Sequence, residues 1–529
     1  MSSFPWLTTI GVVPLIGALV VSALPRNRPQ LAKQVALAVS LLVLVLTIVM
    51  CAGFEAKGPR FQFVQAHDWI PAFGAQYAVG VDGIALVLIA LVAVLVPVVL
   101  LASWYDADPT PHPMAGELTE GAEIVDPPKR GVKTFFALML VLETMMIGVF
   151  AATDVFLFYV FFEAMLIPMY FIIGSYGGPK RSYAAVKFLL YSLFGGLLML
   201  AAVIGLYVAS ANQGLGTFSF DKLTQLEFSH STQIWLFLGF FIAFAIKAPL
   251  FPFHTWLPDA GAEAPVGGAV LLVGVLDKVG TFGFLRYCLP LFPYASRTLA
   301  PYIIVLCIIG VLYGALLAMG QKDLKRLVSY TSIAHFGFIG LGCFAFTTQA
   351  ATGAVLYMVN HGLSTGALFL VIGFLVARGR SRLVGDYSGI ANVAPVLAGL
   401  FFVSGLSSLA LPGLSTFVSE FLVLVGSFTR YPVAAVLATI GIILAALYIL
   451  LVFQRTMQGP LAAAYTQMRD LQFREVLVVA PLIALMLFLG FYPKPLTDVI
   501  TPAVNATMQD VGVKDPAPTL LSHSTTQRR

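Results

Sequence analysis

The stretch 241-FIAFAIKAPLFPFHTWLPDAGAEAPVGGAVLLVGVLDKVG-280 decides the reading of this chain. It opens as an apolar helical run holding Lys247, breaks at Pro249 and Pro252, passes a polar turn with Asp259 and Glu263, and enters a second apolar run holding Lys278. Proline removes a backbone donor and clashes with the preceding turn, so two of them end the first helix. A charge near a bilayer centre costs about 2.5 to 3.5 kcal/mol even on insertion scales, so lysines in such runs face a protein interior or a wet cavity. The stretch reads as part of an ion path.

Working outward, 59% of the 529 residues are hydrophobic and only 10% are charged, more apolar surface than a soluble core could bury. The expected fold is all-α, a polytopic membrane protein with about fourteen transmembrane helices, each near the roughly 20 residues that cross a bilayer. The spans fall at 6–24, 35–54, 84–104, 134–151, 155–173, 188–210, 234–256, 266–291, 302–320, 327–346, 353–377, 396–426, 433–452 and 476–491. The first has no basic segment before it and no small-residue cleavage site after it, and is read as a retained span. The net charge of +5 is spread among loops, which argues against a nucleic-acid partner and leaves the lipid bilayer as the surroundings. Cys51, Cys288, Cys307 and Cys343 lack CxxC or Cys/His ligand spacing and read as small packed residues.

Cytoplasmic loops carry the excess of Lys and Arg, so loop charge tests the span count. Alternate loops place 18 of the 30 basic residues on one side and 10 on the other, with Lys247 and Lys278 inside spans. This fits an even number of spans in a cell inner (plasma) membrane with both termini outside. Residues 55–83 alternate aromatic and polar residues between Gly and Pro, and predict a short outer hairpin. Residues 105–133 are Pro-rich and acidic, with Asp106, Asp108, Glu117, Glu120, Glu123 and Asp126, and read as a solvated connector.

Seven titratable residues run through the spans: Glu143 and Glu163 on the fourth and fifth, Lys247 and Lys278, then His335, His361 and Glu420 in the second half. Glu420 follows a second break at Leu411, Pro412 and Gly413. Such residues can be structural ion pairs that lock helices. Paired breaks in two chain halves, each near a charge, instead mark a transport site at a repeat interface. Asp277, beside Lys278, reads as pairing with a neighbouring helix. The chain has no Fe–S cysteine set, nucleotide-binding Gly loop or haem pair, so no cofactor is expected on it.

The stretches WIPAFGAQYAVGVDGIAL, FFEAMLIPMYFIIGSYGG, IKAPLFPFHTWLPDAGAEAPVGGAVLL and RLVSYTSIAHFGFIGLG closely resemble the M-type family of antiporter-like subunits of complex I, the proton-pumping NADH:quinone oxidoreductase. The KAPxFPFHxWLPDAxxEAP core is shared, with variation, by the L and N types and by subunits of multi-subunit sodium/proton antiporters. The GVDG loop and the lack of a recognisable long lateral helix favour the M type. The resemblance implies two inverted five-helix repeats with two broken helices, at residues 131–295 and 296–455. They are flanked by an N-terminal three-helix region, 1–130, and by a linker, last helix and tail, 456–529. It also implies a translocase subunit without its own redox site, in which Glu143, Glu163, Lys247, Lys278, His335, His361 and Glu420 form a proton relay. Partners would be L-type and N-type neighbours and a peripheral NADH-oxidising arm holding NADH, FMN, Fe–S clusters and quinone. A secondary sodium/proton antiporter subunit and a purely structural scaffold are the alternatives.

Overall fold

The structure, a computed structural model, describes residues 4–109, 113–114 and 130–516. Thirteen helices among the described residues are long and apolar enough to cross a membrane. They are α1 (Trp6–Ala23), α2 (Pro29–Ala52), α3 (Gly83–Ala102), α4 (Val132–Ala151), α5 (Val155–Tyr176), α6 (Arg181–Ala211), α7 (His230–Lys247), α9 (Val266–Leu291), α10 (Pro293–Met319), α11 (Leu324–Phe344), α12 (Thr348–Gly379), α15 (Pro432–Met457) and α16 (Phe473–Phe491). The short α8 (Leu257–Glu263) continues α7 beyond a break. Two half-helices, α13 (Pro395–Ser408) and α14 (Ser415–Phe428), supply a fourteenth, interrupted crossing.

Burial sorts these helices into an axis and a rim. The apolar stretch of α9 is wholly buried and those of α11 and α12 are 94% buried, against 33% for α1 and 28% for α2. The axis helices are therefore the ones carrying Lys278, His335 and His361. Rim helices present Leu, Ile, Val and Phe outward, such as Leu190, Phe194 and Leu197 on α6, as a lipid-facing surface requires.

Both breaks have their freed backbone groups satisfied locally, which lets irregular chain exist at membrane depth. After α7 the Leu250 amide donates to the Ala245 carbonyl, and the Trp256 indole donates to the Ile246 carbonyl at 2.9 Å. Gly280 on α9 lies so close that an added Cβ would sit 2.4 Å from the Phe244 carbonyl oxygen and 2.6 Å from the Ala248 nitrogen. At the second break Ala410 and Gly413 take φ of +61° and +94°. Asn360 on α12 donates to the Ser415 carbonyl at 2.8 Å, and the Thr416 hydroxyl donates to the Ser407 carbonyl. Within α9 the turns Leu272–Leu276 and Phe284–Cys288 are π-helical, a form that occurs mostly as single turns inside α-helices and frequently at functional sites.

The loops grouped by charge meet at the ends of the bundle. At one end Lys133 donates to the Leu24 carbonyl, Arg474 to the Leu101 carbonyl, and Lys325 to the Ala264 carbonyl, while Arg378 pairs with Glu475 at 2.5 Å. At the other, β1 (Gln62–Ile70) and β2 (Ala75–Val81) form the expected antiparallel hairpin. Arg60 in the hairpin's lead-in pairs with Asp510 at 2.7 Å.

Asp510 belongs to α17 (Lys494–Val511), a helix in the segment read only as a tail. Its buried residues Ile500, Ala503, Val504, Thr507, Met508 and Val511 recur at helical spacing. It seats against α3, where a Cβ on Gly83 would meet the Val499 carbonyl oxygen at 1.9 Å.

The acidic connector is corrected in part. Asp106 is half-buried, and its removal from water raises its carboxyl above the ordinary range although Ser103, Lys325 and Arg474 favour the charged form. Asp108 takes both its oxygens to Lys33 at 2.8 Å, with Lys33 fully buried against the Trp104 and Tyr105 rings. Glu117, Glu120, Glu123 and Asp126 lie outside the described residues.

Candidate functional site

The α7 break sets the position of Lys247. It is the last residue of α7, 1% exposed, and its ammonium has no hydrogen-bond partner among the described residues. It lies 5.0 Å from the Phe162 ring centre and 5.6 Å from that of Phe188, a cation–π setting that holds a charge without fixing it to one acceptor. Glu163 and Asp277 both act on it electrostatically. Burial in low dielectric makes such through-space terms large compared with those in water.

Glu163 stands next to Phe162 on α5, half-buried. Its carboxylate occupies the place where residue 196 would otherwise have a side chain, since a Cβ on Gly196 would lie 1.7 Å from Oε1 and 2.9 Å from Oε2. Oε1 has no hydrogen-bond partner among the described residues. The carboxylate is thus located by the shape of α6 rather than by a fixed polar contact.

On α9 the first π turn ends immediately before Asp277 and Lys278. The Lys278 ammonium donates to the Val273 carbonyl and stands 2.6 Å from His361 Nδ1, with both side chains buried. It also lies 5.0 Å from the Phe336 ring centre. Asp277, read from the sequence as pairing with a neighbouring helix, has no hydrogen bond to either carboxylate oxygen among the described residues and instead acts on Lys278 and Lys247 through space.

Beyond His361 the row continues along α11 and α12. The His335 and His361 rings stand 5.2 Å apart, edge to face. The His335 ring is 5.8 Å from that of Tyr357, whose hydroxyl donates to Glu420. Glu420 is buried on α14, about one and a half turns inside the half-helix rather than at the break itself. Around that break the buried hydroxyls of Ser404, Ser408 and Ser415 have no partner among the described residues, and such groups are the usual holders of ordered water.

Of the seven residues picked from the sequence, six fall into this one row. Glu143 is fully buried on α4, and neither of its oxygens makes a hydrogen bond to the row. Asp259 and Glu263, which opened the reading of an ion path, are tied down at the basic end. Asp259 pairs with Lys187 at 2.6 Å and Arg326 at 2.5 Å, and Glu263 with Arg382 at 3.0 Å. Sequence reasoning missed Tyr357, Phe162, Phe188 and Gly196. An aromatic or a glycine in an apolar run gives no signal of its own, because its role depends on which helix faces it.

The family described as NADH:quinone oxidoreductase/Mrp antiporter, transmembrane region, matches residues 152–446. The chain is 52% identical to NADH-quinone oxidoreductase subunit M of Mycobacterium tuberculosis (strain H37Rv), covering 98% of this chain and 97% of that one. Among solved structures it is similar to a chain of respiratory complex I from Thermus thermophilus with bound NADH, with a TM-score of 0.84 and 32% identity, covering 96% of this chain and all of that one. It also shares its fold with a chain of the Mrp complex from Dietzia sp. DQ12-45-1b, with a TM-score of 0.82 and 20% identity over 97% of this chain and all of that one.

Proposed function

This chain belongs to the subunit M family of NADH-quinone oxidoreductase, and from that premise we propose that its buried titratable row carries protons across the membrane arm of such a complex. The observation that carries the reading is the contact of Lys278 with His361, 2.6 Å apart and shielded from solvent. It joins the half of the chain containing the α7 break to the half containing the α13–α14 break.

The mechanism follows from charge. Glu163 holds the proton on Lys247 while the two are close; when Glu163 is drawn away, Lys247 loses its counter-charge and releases the proton toward Asp277 and Lys278. His361 and His335 take it onward to Glu420, the exit or the link to a neighbouring subunit. Glu143, on α4, would exchange with the row through water. Each elementary charge moved against 100 mV needs about 2.3 kcal/mol. That drive would come from redox chemistry in partner subunits, where NADH, FMN, Fe–S clusters and quinone would bind, transmitted through L-type and N-type neighbours. The repeats would span 131–295 and 296–455. The basic end would face the cytoplasm and both termini would lie outside.

Glu420→Gln tests the path at its far end. A complex that assembles normally should lose about tenfold in NADH-driven acidification of inverted vesicles, as expected when a proton-transferring group is removed. Normal pumping would end the path elsewhere, and failed assembly would make Glu420 a structural contact. Gly196→Ala tests the near end without touching a titratable group. Displacing the Glu163 carboxylate should lower pumping about threefold, because a misplaced group costs rate even when its chemistry is intact. An unchanged rate would mean that the seat on α6 does not matter.

A further inference from the structure

The row leaves one step unfilled, between His335 and Glu420, and a residue outside it stands in the gap. Tyr357 is one turn before His361 on α12, fully buried, with its ring 5.8 Å from His335 and 6.4 Å from His361. Its hydroxyl donates to Glu420 Oε1, whereas Glu420 Oε2 has no hydrogen-bond partner among the described residues and the His335 ring is approached only by the Ser408 backbone, which leaves a ring nitrogen free for Tyr357. Resting on the reading of the row as a proton path, we propose that the Tyr357 hydroxyl passes protons between His335 and Glu420.

The chemistry balances without a co-reactant. A phenol oxygen is donor and acceptor at once, so it can accept a proton from a charged His335 imidazole as its own proton moves to the Glu420 carboxylate. The N–H bond of the imidazole breaks, one O–H bond forms at Tyr357 as another breaks, and an O–H bond forms at Glu420. His335 ends neutral, Tyr357 is unchanged, and Glu420 ends as the carboxylic acid. Direct transfer or transfer through one water is the reach such steps require. Other groups in the same pocket are poorer links. Asn360 has both of its donor contacts engaged by α14, and Tyr448, close enough to Glu420 to act on it, has a hydroxyl bonded to nothing among the described residues.

The test uses the assembled complex in inverted vesicles, scoring acidification per NADH oxidised. Tyr357→Phe keeps the ring and its packing, and should lower pumping about fivefold, a modest loss for a proton-transfer group that water can partly bypass. Fluorotyrosine at 357 keeps shape and hydrogen bond but makes the hydroxyl more acidic, and should change the rate by about twofold. Merely positioning Glu420 would leave the fluorotyrosine protein at the wild-type rate, and that result overturns the proposal. Should the Phe variant not assemble, the fluorotyrosine protein decides by the same criterion. Wild-type pumping by Tyr357→Phe while Glu420→Gln loses it overturns this link and leaves the wider path standing. Normal pumping by Glu420→Gln overturns both.

Discussion

Lys247→Ala is expected to give a complex that assembles in normal amount and has lost at least about tenfold in redox-coupled proton pumping, the scale of removing a proton-transfer group. Assembly should survive because the ammonium has no hydrogen bond to lose among the described residues. Deleting a buried, loosely compensated charge removes a desolvation cost along with the packing of its stem. Pumping should not survive, because Lys247 is the group at the α7 break on which both Glu163 and Asp277 act. Lys247→Arg separates two explanations. Arginine keeps the positive charge between Phe162 and Phe188 but does not deprotonate in proteins, so a relay stops and an electrostatic anchor does not. Vesicle acidification at matched NADH oxidation measures both. Wild-type pumping by an assembled Lys247→Ala complex would refute the relay, and near-normal pumping by Lys247→Arg would reduce Lys247 to a fixed charge.

Much of this arrangement was legible in the sequence because a bilayer is a severe solvent. Runs of apolar residues had to be helices, the closely spaced Pro249 and Pro252 had to end one of them although single prolines such as Pro97 and Pro481 lie inside unbroken helices, and ionisable residues inside them had to face inward. That reasoning finds Lys247 and Lys278 without any knowledge of their neighbours. It cannot find the contact between Lys278 and His361, which are 83 residues apart, because helix rotation about the axis is set by packing alone. The π turn before Asp277 compounds the difficulty, since it shifts the face on which the next residues point. For the same reason Tyr357 reads as packing until α14 is laid against it.

Loops were harder for a different reason. Lys33 was assigned to one side by charge counting and Asp108 to a solvated connector, but charge counting concerns which side a residue is on, not whether it is solvated. Their mutual pairing and the adjacent aromatic rings make burial tolerable there. α17 had a readable period, with Ile500, Val504, Met508 and Val511 on one face. Its many polar residues disqualify it as a span, and an amphipathic helix lying across the bundle end needs the hairpin and α3 in place before it has anything to cover.

Glu163→Gln should be as severe as the lysine change, about tenfold in pumping, while Glu163→Asp should cost only a few-fold, because the two substitutions remove different things. Glutamine is nearly isosteric, so it still fits the seat that Gly196 leaves open and still reaches as far toward Lys247. What it lacks is charge. Oε1 has no hydrogen bond to preserve, and the influence of Glu163 on Lys247 is electrostatic rather than through a direct bond, so the neutral amide loses that influence. Aspartate keeps the charge and draws it back by one methylene, and Coulomb attraction falls only inversely with distance. A carboxylate that served as a polar contact would show the reverse order, with glutamine tolerated and the shortened aspartate penalised. Measuring both variants in assembled complexes therefore reads out whether charge or reach matters at this position. Gly196→Ala adds the third corner, since it keeps the charge of Glu163 but moves it. If Glu163→Gln pumps least, and Gly196→Ala pumps about as well as Glu163→Asp, the carboxylate acts on Lys247 as a movable charge.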